Sequence, residues 1–252
     1  MRAIALVAHG SADPRAAATT RALARAVRAA APGADVRAAF LDHAGPRPGA
    51  VLRAFAAAGH ERAVVVPLLL TEAYHARVDL PAVLAETRAA GLTMPVATAS
   101  VLGGPSRFML AGLRRRLAAA APHGLDGLVL AFSGTRDERA RQSVDAVASA
   151  LSGSLGVPAL AAYASVAAPD GATAVAALRA RGCRRVAVAA YFLAPGKLYD
   201  GIARAALRAG AIGVAEPLGS APELVHLVLD RVTSAATDYR GRYADDLSKV
   251  SG

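Results

Sequence analysis

The sequence is poor in most of the residues that mark a specialised habitat. A single cysteine, Cys183, stands in 252 residues, so no internal disulfide can form. A reducing cytoplasm is the simplest location for such a chain. Tryptophan is absent and aromatics make up 4% of the residues, which leaves few platforms for stacking bases. Nucleic acid is therefore not expected as a partner. No apolar run approaches the ~20 residues that a membrane span needs, although 54% of the chain is hydrophobic, much of it alanine. The opening apolar run is short and stops at His9-Gly10, so it reads as a first strand and not as a secretory leader. Lysine is nearly missing: all but Lys197 and Lys249 of the 29 basic residues are arginine. Against 19 acidic residues they leave a formal charge of +10. An Ala- and Arg-rich composition is what GC-rich coding produces, and the same positive field suits a polyanionic ligand. The one basic block, Arg114-Arg115-Arg116, falls inside a helical pattern.

What the chain does have is alternation. Strand-like segments at 3–8, 36–41, 64–70 and 96–101 alternate with helical segments at 15–31, 47–58, 81–90 and 105–121. Pro32-Gly33, Gly59 and Gly91 punctuate them. The order predicts a parallel α/β sheet. The run 64–70 is apolar throughout, as a strand covered on both faces would be. The pattern then starts again. Gly10, Ser11, Asp13 and Arg15 recur in type as Gly134, Thr135, Asp137 and Arg139. Residues 40–46 recur as 163–169, residues 62–70 as 185–193, and Gly103-Gly104-Pro105 is echoed by 219–222. The chain reads as a tandem duplication of a four-stranded unit: a first half at 1–121, a second at 125–237, and a polar tail at 238–252, with a cleft between the halves.

The duplication allows the halves to be compared. After its first three strands the first half carries His9, Asp42 and His75; the second half carries Ser133, Ser165 and Leu198 at those places. Carboxyl ends of parallel strands are where open α/β sheets bind ligands. Two imidazoles and a carboxylate there suit a borderline divalent ion, and neutral imidazole is also a base suited to neutral pH. Singly, each residue is accounted for by a surface or capping role. Jointly, with all three replaced in the other half, they mark a working half and a wall. His43 is a substitute ligand; His60, His123 and His226 are incidental.

The patterns His-Gly-Ser-x-Asp-x-Arg (9–15), Phe-Leu-Asp-x-x-x-Pro (40–46) and Pro-Leu-Leu-Leu-x-x-x-Tyr-His-x-x-x-Asp-Leu-Pro (67–81) resemble the class II chelatases. The match is to the two-domain form of the sirohydrochlorin chelatase group, CbiX or SirB, over about residues 1–237. The resemblance implies a lyase-type enzyme that inserts Co²⁺ or Fe²⁺, with Ni²⁺ as a minor option, into sirohydrochlorin on the way to sirohaem or cobalamin. Two protons are released, and neither ATP nor an organic cofactor takes part. It carries the metal-binding and proton-accepting roles onto His9 and His75, and places Asp42 where the family usually has Glu. The anionic tetrapyrrole is expected to meet Ser11, Arg15, Arg47, Arg77, Gly103, Gly104 and Arg107, partly through helix starts. The expected protein is a monomer, with a homodimer as the alternative.

Three rivals are weaker. Histidine phosphatases also open with strand-His-Gly, but they place Arg directly before the His, where this chain has Ala8. Non-haem iron oxygenases use two His and a carboxylate on a β-sandwich, which the β-α order argues against. A metal or tetrapyrrole carrier would use the same His pair without turnover.

Overall fold

The computed structural model describes residues 2–72 and 79–250, with side chains up to residue 237. The first half runs β1 (Ala3–Ala8), α1 (Pro14–Ala30), β2 (Asp35–Phe40), α2 (Pro48–Ala57), β3 (Ala63–Pro67), α3 (Leu80–Ala89), β4 (Val96–Thr98) and α4 (Arg107–Ala120). The second half repeats it as β5 (Gly127–Phe132), α5 (Glu138–Leu155), β6 (Ala159–Tyr163), α6 (Gly171–Ala180), β7 (Val186–Ala190), α7 (Lys197–Arg208), β8 (Gly213–Val214) and α8 (Pro222–Val250). Each half forms a four-stranded parallel sheet, in the orders β2-β1-β3-β4 and β6-β5-β7-β8. Leu6 sits opposite Ala38 on one side and Val66 on the other. The α/β architecture is therefore the one the alternation predicts.

Side-chain alternation sorts each sheet into two faces. Ile4 and Leu6 point to one apolar cluster; Ala3, Ala5 and Val7 point to another, closed by α2 and α3. The first cluster is shared by both halves. Leu128, Leu130 and Ala189 of the second sheet join it, with Leu113 and Leu117 of α4 and Leu224 and Val228 of α8 between. The last helix of each half is exchanged: α4 packs on β7 and β8, and α8 packs on β3 and β4. Two arginines of the basic block serve this exchange. Arg115 donates from both Nε and Nη2 to Glu223, at 2.8 and 3.2 Å, and Arg116 donates to Glu216 at 2.9 Å.

Two strands end earlier than the apolar pattern suggests. The ladder of β3 stops at Pro67, although Leu68 still donates to Val7 at 2.8 Å. Residues 68–70 leave the sheet, and the Leu69 carbonyl accepts from Leu102 at 2.9 Å. β4 ends at Thr98 and not at 101. Helix starts follow the polar residues before them. Asp13, Ser106, Asp137 and Asp170 each accept a backbone N–H from the first turn of α1, α4, α5 and α6.

Candidate active site in the cleft between the halves

His9 is the first residue after β1, and its carbonyl accepts the Asp42 N–H at 2.7 Å. That bond ties the loops after β1 and β2 together. Gly10 makes the approach feasible: its φ is +101°, and a Cβ there would lie 1.9 Å from the Asp42 carbonyl oxygen. The second half repeats the device with Gly134 at φ +116°, where a Cβ would lie 2.0 Å from the Ser165 carbonyl oxygen. The loops after β2 and β6 also match. Phe40 donates to the Pro46 carbonyl, and Tyr163 to that of Pro169, both at 2.9 Å. His43 and Val166 both take a left-handed φ, 58° and 54°. On this common frame Asp42 stands where the other half has Ser165, whose hydroxyl donates to the Ser133 carbonyl at 2.8 Å.

Half-buried His9 lines a cleft of about 530 Å³ between the halves, facing Ser133, Thr135, Leu193 and Leu198 of the second half across Leu69 and Thr71 of the first. The Asp42 carboxylate is exposed and held within its own loop. It accepts the His43 N–H at 2.8 Å, with His43 Nε2 at 3.5 Å and Arg47 Nη2 at 3.6 Å. The His43 N–H, the His43 ring and then Arg47 hold its carboxyl below the usual range. It is therefore an anion ready to meet a cation at neutral pH. Among the described residues no group of three or more His, Cys, Asp or Glu is placed to hold a metal ion. His75 and Arg77 lie outside the described residues.

The expected substrate contacts are placed variously. Ser11 Oγ accepts the Asp13 N–H at 3.1 Å and shapes the turn into α1. Arg15 Nη2 lies 2.6 Å from both Asp13 and Asp200; the second carboxylate belongs to α7, so the pair joins the halves. Both carboxylates raise the pKa of the Arg15 guanidinium. Arg47 folds back onto the Leu41 carbonyl as well as Asp42. Arg107 opens α4, exposed, with its guanidinium 4.5 Å from the Phe108 ring centre. A Cβ at Gly103 would lie 1.8 Å from the Leu70 carbonyl oxygen, and the Gly104 N–H is already donated to the Tyr191 hydroxyl at 3.0 Å. Asp200 and Tyr191 escaped the sequence reading. The repeat held a signal for the second, since Tyr191 occupies the place of Leu68.

Comparison with known proteins gives a consistent result. The CbiX family profile matches residues 3–120 and 127–235. The fold is similar to that of SirB from Bacillus subtilis with Fe³⁺, at TM-score 0.82 and 22% identity over 95% of this chain and 97% of that one. It is similar to the sirohydrochlorin chelatase SirB from Bacillus subtilis subspecies spizizenii in complex with cobalt, at TM-score 0.79 and 21% identity, with the same coverage. It also resembles CbiX, the terminal enzyme for biosynthesis of sirohaem in denitrifying bacteria, at TM-score 0.66 and 21% identity over 93% and 99%. No curated protein matches the sequence.

Proposed function

This chain belongs to the CbiX family, and we propose that it is a sirohydrochlorin chelatase that inserts Co²⁺ or Fe²⁺ into the macrocycle. The observation that carries the reading is the position of His9, at the end of β1 and on the wall of a cleft between two unequal halves. The metal is a substrate, to be held loosely and given up. His9 and His75 are the groups we assign to it, with Asp42 as a nearby anion. Neutral imidazole donates a lone pair to the ion and, once the ion has passed to the macrocycle, accepts a proton. In the overall change two pyrrole N–H bonds break, four metal–nitrogen bonds form and two protons reach water. The oxidation state of the metal does not change, and neither ATP nor an organic cofactor is needed.

The division of labour follows from the repeat. Residues 1–121 supply the reactive groups, and residues 125–237 supply a wall in which Leu193 and Leu198 are apolar. That wall suits the face of a planar macrocycle, while its carboxylates meet the arginine-rich exterior. Arg15 and Arg107 are the cations we assign to them; a substrate carboxylate on Arg15 would replace Asp200. The protein is proposed to work as a cytoplasmic monomer. No helix among the described residues is long and apolar enough to cross a membrane.

The decisive test is anaerobic metallation of sirohydrochlorin, followed by its absorption change, with Co²⁺ and Fe²⁺ in parallel. The wild type should accelerate insertion, and His9→Ala/His75→Ala should lose the acceleration while still folding. Tight binding of metal or macrocycle without acceleration would make the protein a carrier.

A further inference from the structure

Tyr191 is a fully buried side chain that directly follows β7, in the second half, yet its hydroxyl serves the first half. It donates to the Leu70 carbonyl at 3.2 Å and accepts the Gly104 N–H at 3.0 Å. Leu70 belongs to the segment after β3 that lines the cleft beside His9; Gly104 precedes α4. One hydroxyl therefore fixes two loops of one half against a strand of the other. Its ring cannot drift, because it lies 5.7 Å from that of Phe132, itself buried. The space around the contact is closed as well: a Cβ on Gly103 would lie 1.8 Å from the Leu70 oxygen and 3.0 Å from the Tyr191 hydroxyl.

The repeat shows that the fold does not itself require this arrangement. In the second half the corresponding joint is a direct backbone bond, with Gly219 donating to the Leu193 carbonyl at 2.9 Å. In the first half a side chain from across the cleft is built into the joint. A buried hydroxyl with both its donor and acceptor used is a rigid tie. Burial pushes the Tyr191 phenol up to about 12, so it stays protonated and able to donate at any working pH.

We infer that Tyr191 is a positioning residue that sets the spacing of the two cleft walls, and through it the fit of the planar substrate. This rests on the chelatase reading. Tyr191 does not touch the reacting atoms. It holds the Leu68–Thr71 wall at a defined distance from the Leu193–Leu198 wall. Loss of the hydroxyl would leave a carbonyl and an N–H unpaired at the base of the cleft and free its walls to relax.

The variant to make is Tyr191→Phe, which keeps the ring. At a temperature where circular dichroism shows it fully folded, its KM and its equilibrium dissociation constant for sirohydrochlorin should rise about tenfold. Its affinity for Co²⁺ alone should not change, because the metal groups lie in one half. A structural role only would lower the melting temperature and leave both sirohydrochlorin constants as in the wild type, and that result would overturn the inference. Should the variant fail to fold, amide exchange in the wild type decides: the Gly104 N–H should be protected already without sirohydrochlorin, and exchange there at the rate of an open loop would overturn the tie. A wild type that neither binds nor metallates sirohydrochlorin would refute the chelatase reading instead, which is a distinguishable outcome.

Discussion

Gly10 shows how much of the site depends on one missing atom. Its φ of +101° and the 1.9 Å that would separate a Cβ from the Asp42 carbonyl oxygen leave no room for any side chain. Gly10→Ala must push the loops after β1 and β2 apart, and so separate His9 from Asp42. The expected cost is at least about 2 kcal/mol in chemical denaturation, with loss of metallation in the fraction that remains folded. Gly134→Ala meets the same obstacle in the second half, 2.0 Å from the Ser165 carbonyl oxygen. It should cost similar stability, yet leave the His9–Asp42 spacing intact. Equal loss of activity per folded molecule in the two variants would contradict the assignment of the working half.

Among the elements, the helices are started by single side chains whose value can be measured. Asp170 precedes α6 and accepts the Thr173 N–H at 2.8 Å. That N–H is the largest cause holding its carboxyl below the usual range. Asp170→Ala should cost about 1 kcal/mol at pH 7, read from urea midpoints. The sign of the pH dependence follows from the lowered pKa. The ionised cap stabilises above the unfolded-state value of about 3.9, and the benefit fades as pH falls through the folded value. The gap between wild type and variant should therefore close in acid; a gap that persists unchanged at pH 2 would mean that the side chain acts by packing. The strand ends are a different matter. β3 ends at Pro67 and β7 at the equivalent Ala190, so the early exit belongs to the repeated frame and not to the proline, and it puts residues 68–70 and 191–193 on the cleft.

At the level of the molecule, the halves are not separable beads. α4 closes the second sheet and α8 closes the first, and one apolar cluster runs through both. A chain cut after residue 121 would expose Met109, Leu113 and Leu117, which are buried in the whole protein, and would leave β3 and β4 without α8. Expressed alone, residues 1–121 should give a dimer in which two copies exchange α4, or an aggregate. Sedimentation showing a folded monomer would contradict this. The full chain should unfold in a single transition for the same reason.

The sequence alone determined the architecture, because its signals are local. The apolar periods and the punctuation by glycine and proline act over a few residues, and the recurrence of Gly10-Ser11 as Gly134-Thr135 shows the same local pattern written twice. The same recurrence pointed to His9, Asp42 and His75 as candidates, since a duplicated frame with unlike groups at its strand ends singles out one half as the proposed seat of the chemistry. The 120 residues that separate Leu70 from Tyr191 hid the rest. The exchange of α4 and α8, the Arg15–Asp200 pair and the Tyr191 tie each join residues of different halves; the repeat marks Tyr191 as unlike Leu68, but no period or spacing records the partners. Arg15 and Arg47 looked like free cations in the sequence, but neighbouring oxygens claim them in the fold. Which polar groups find each other depends on how two sheets pack through a shared core, and only the tertiary structure decides that.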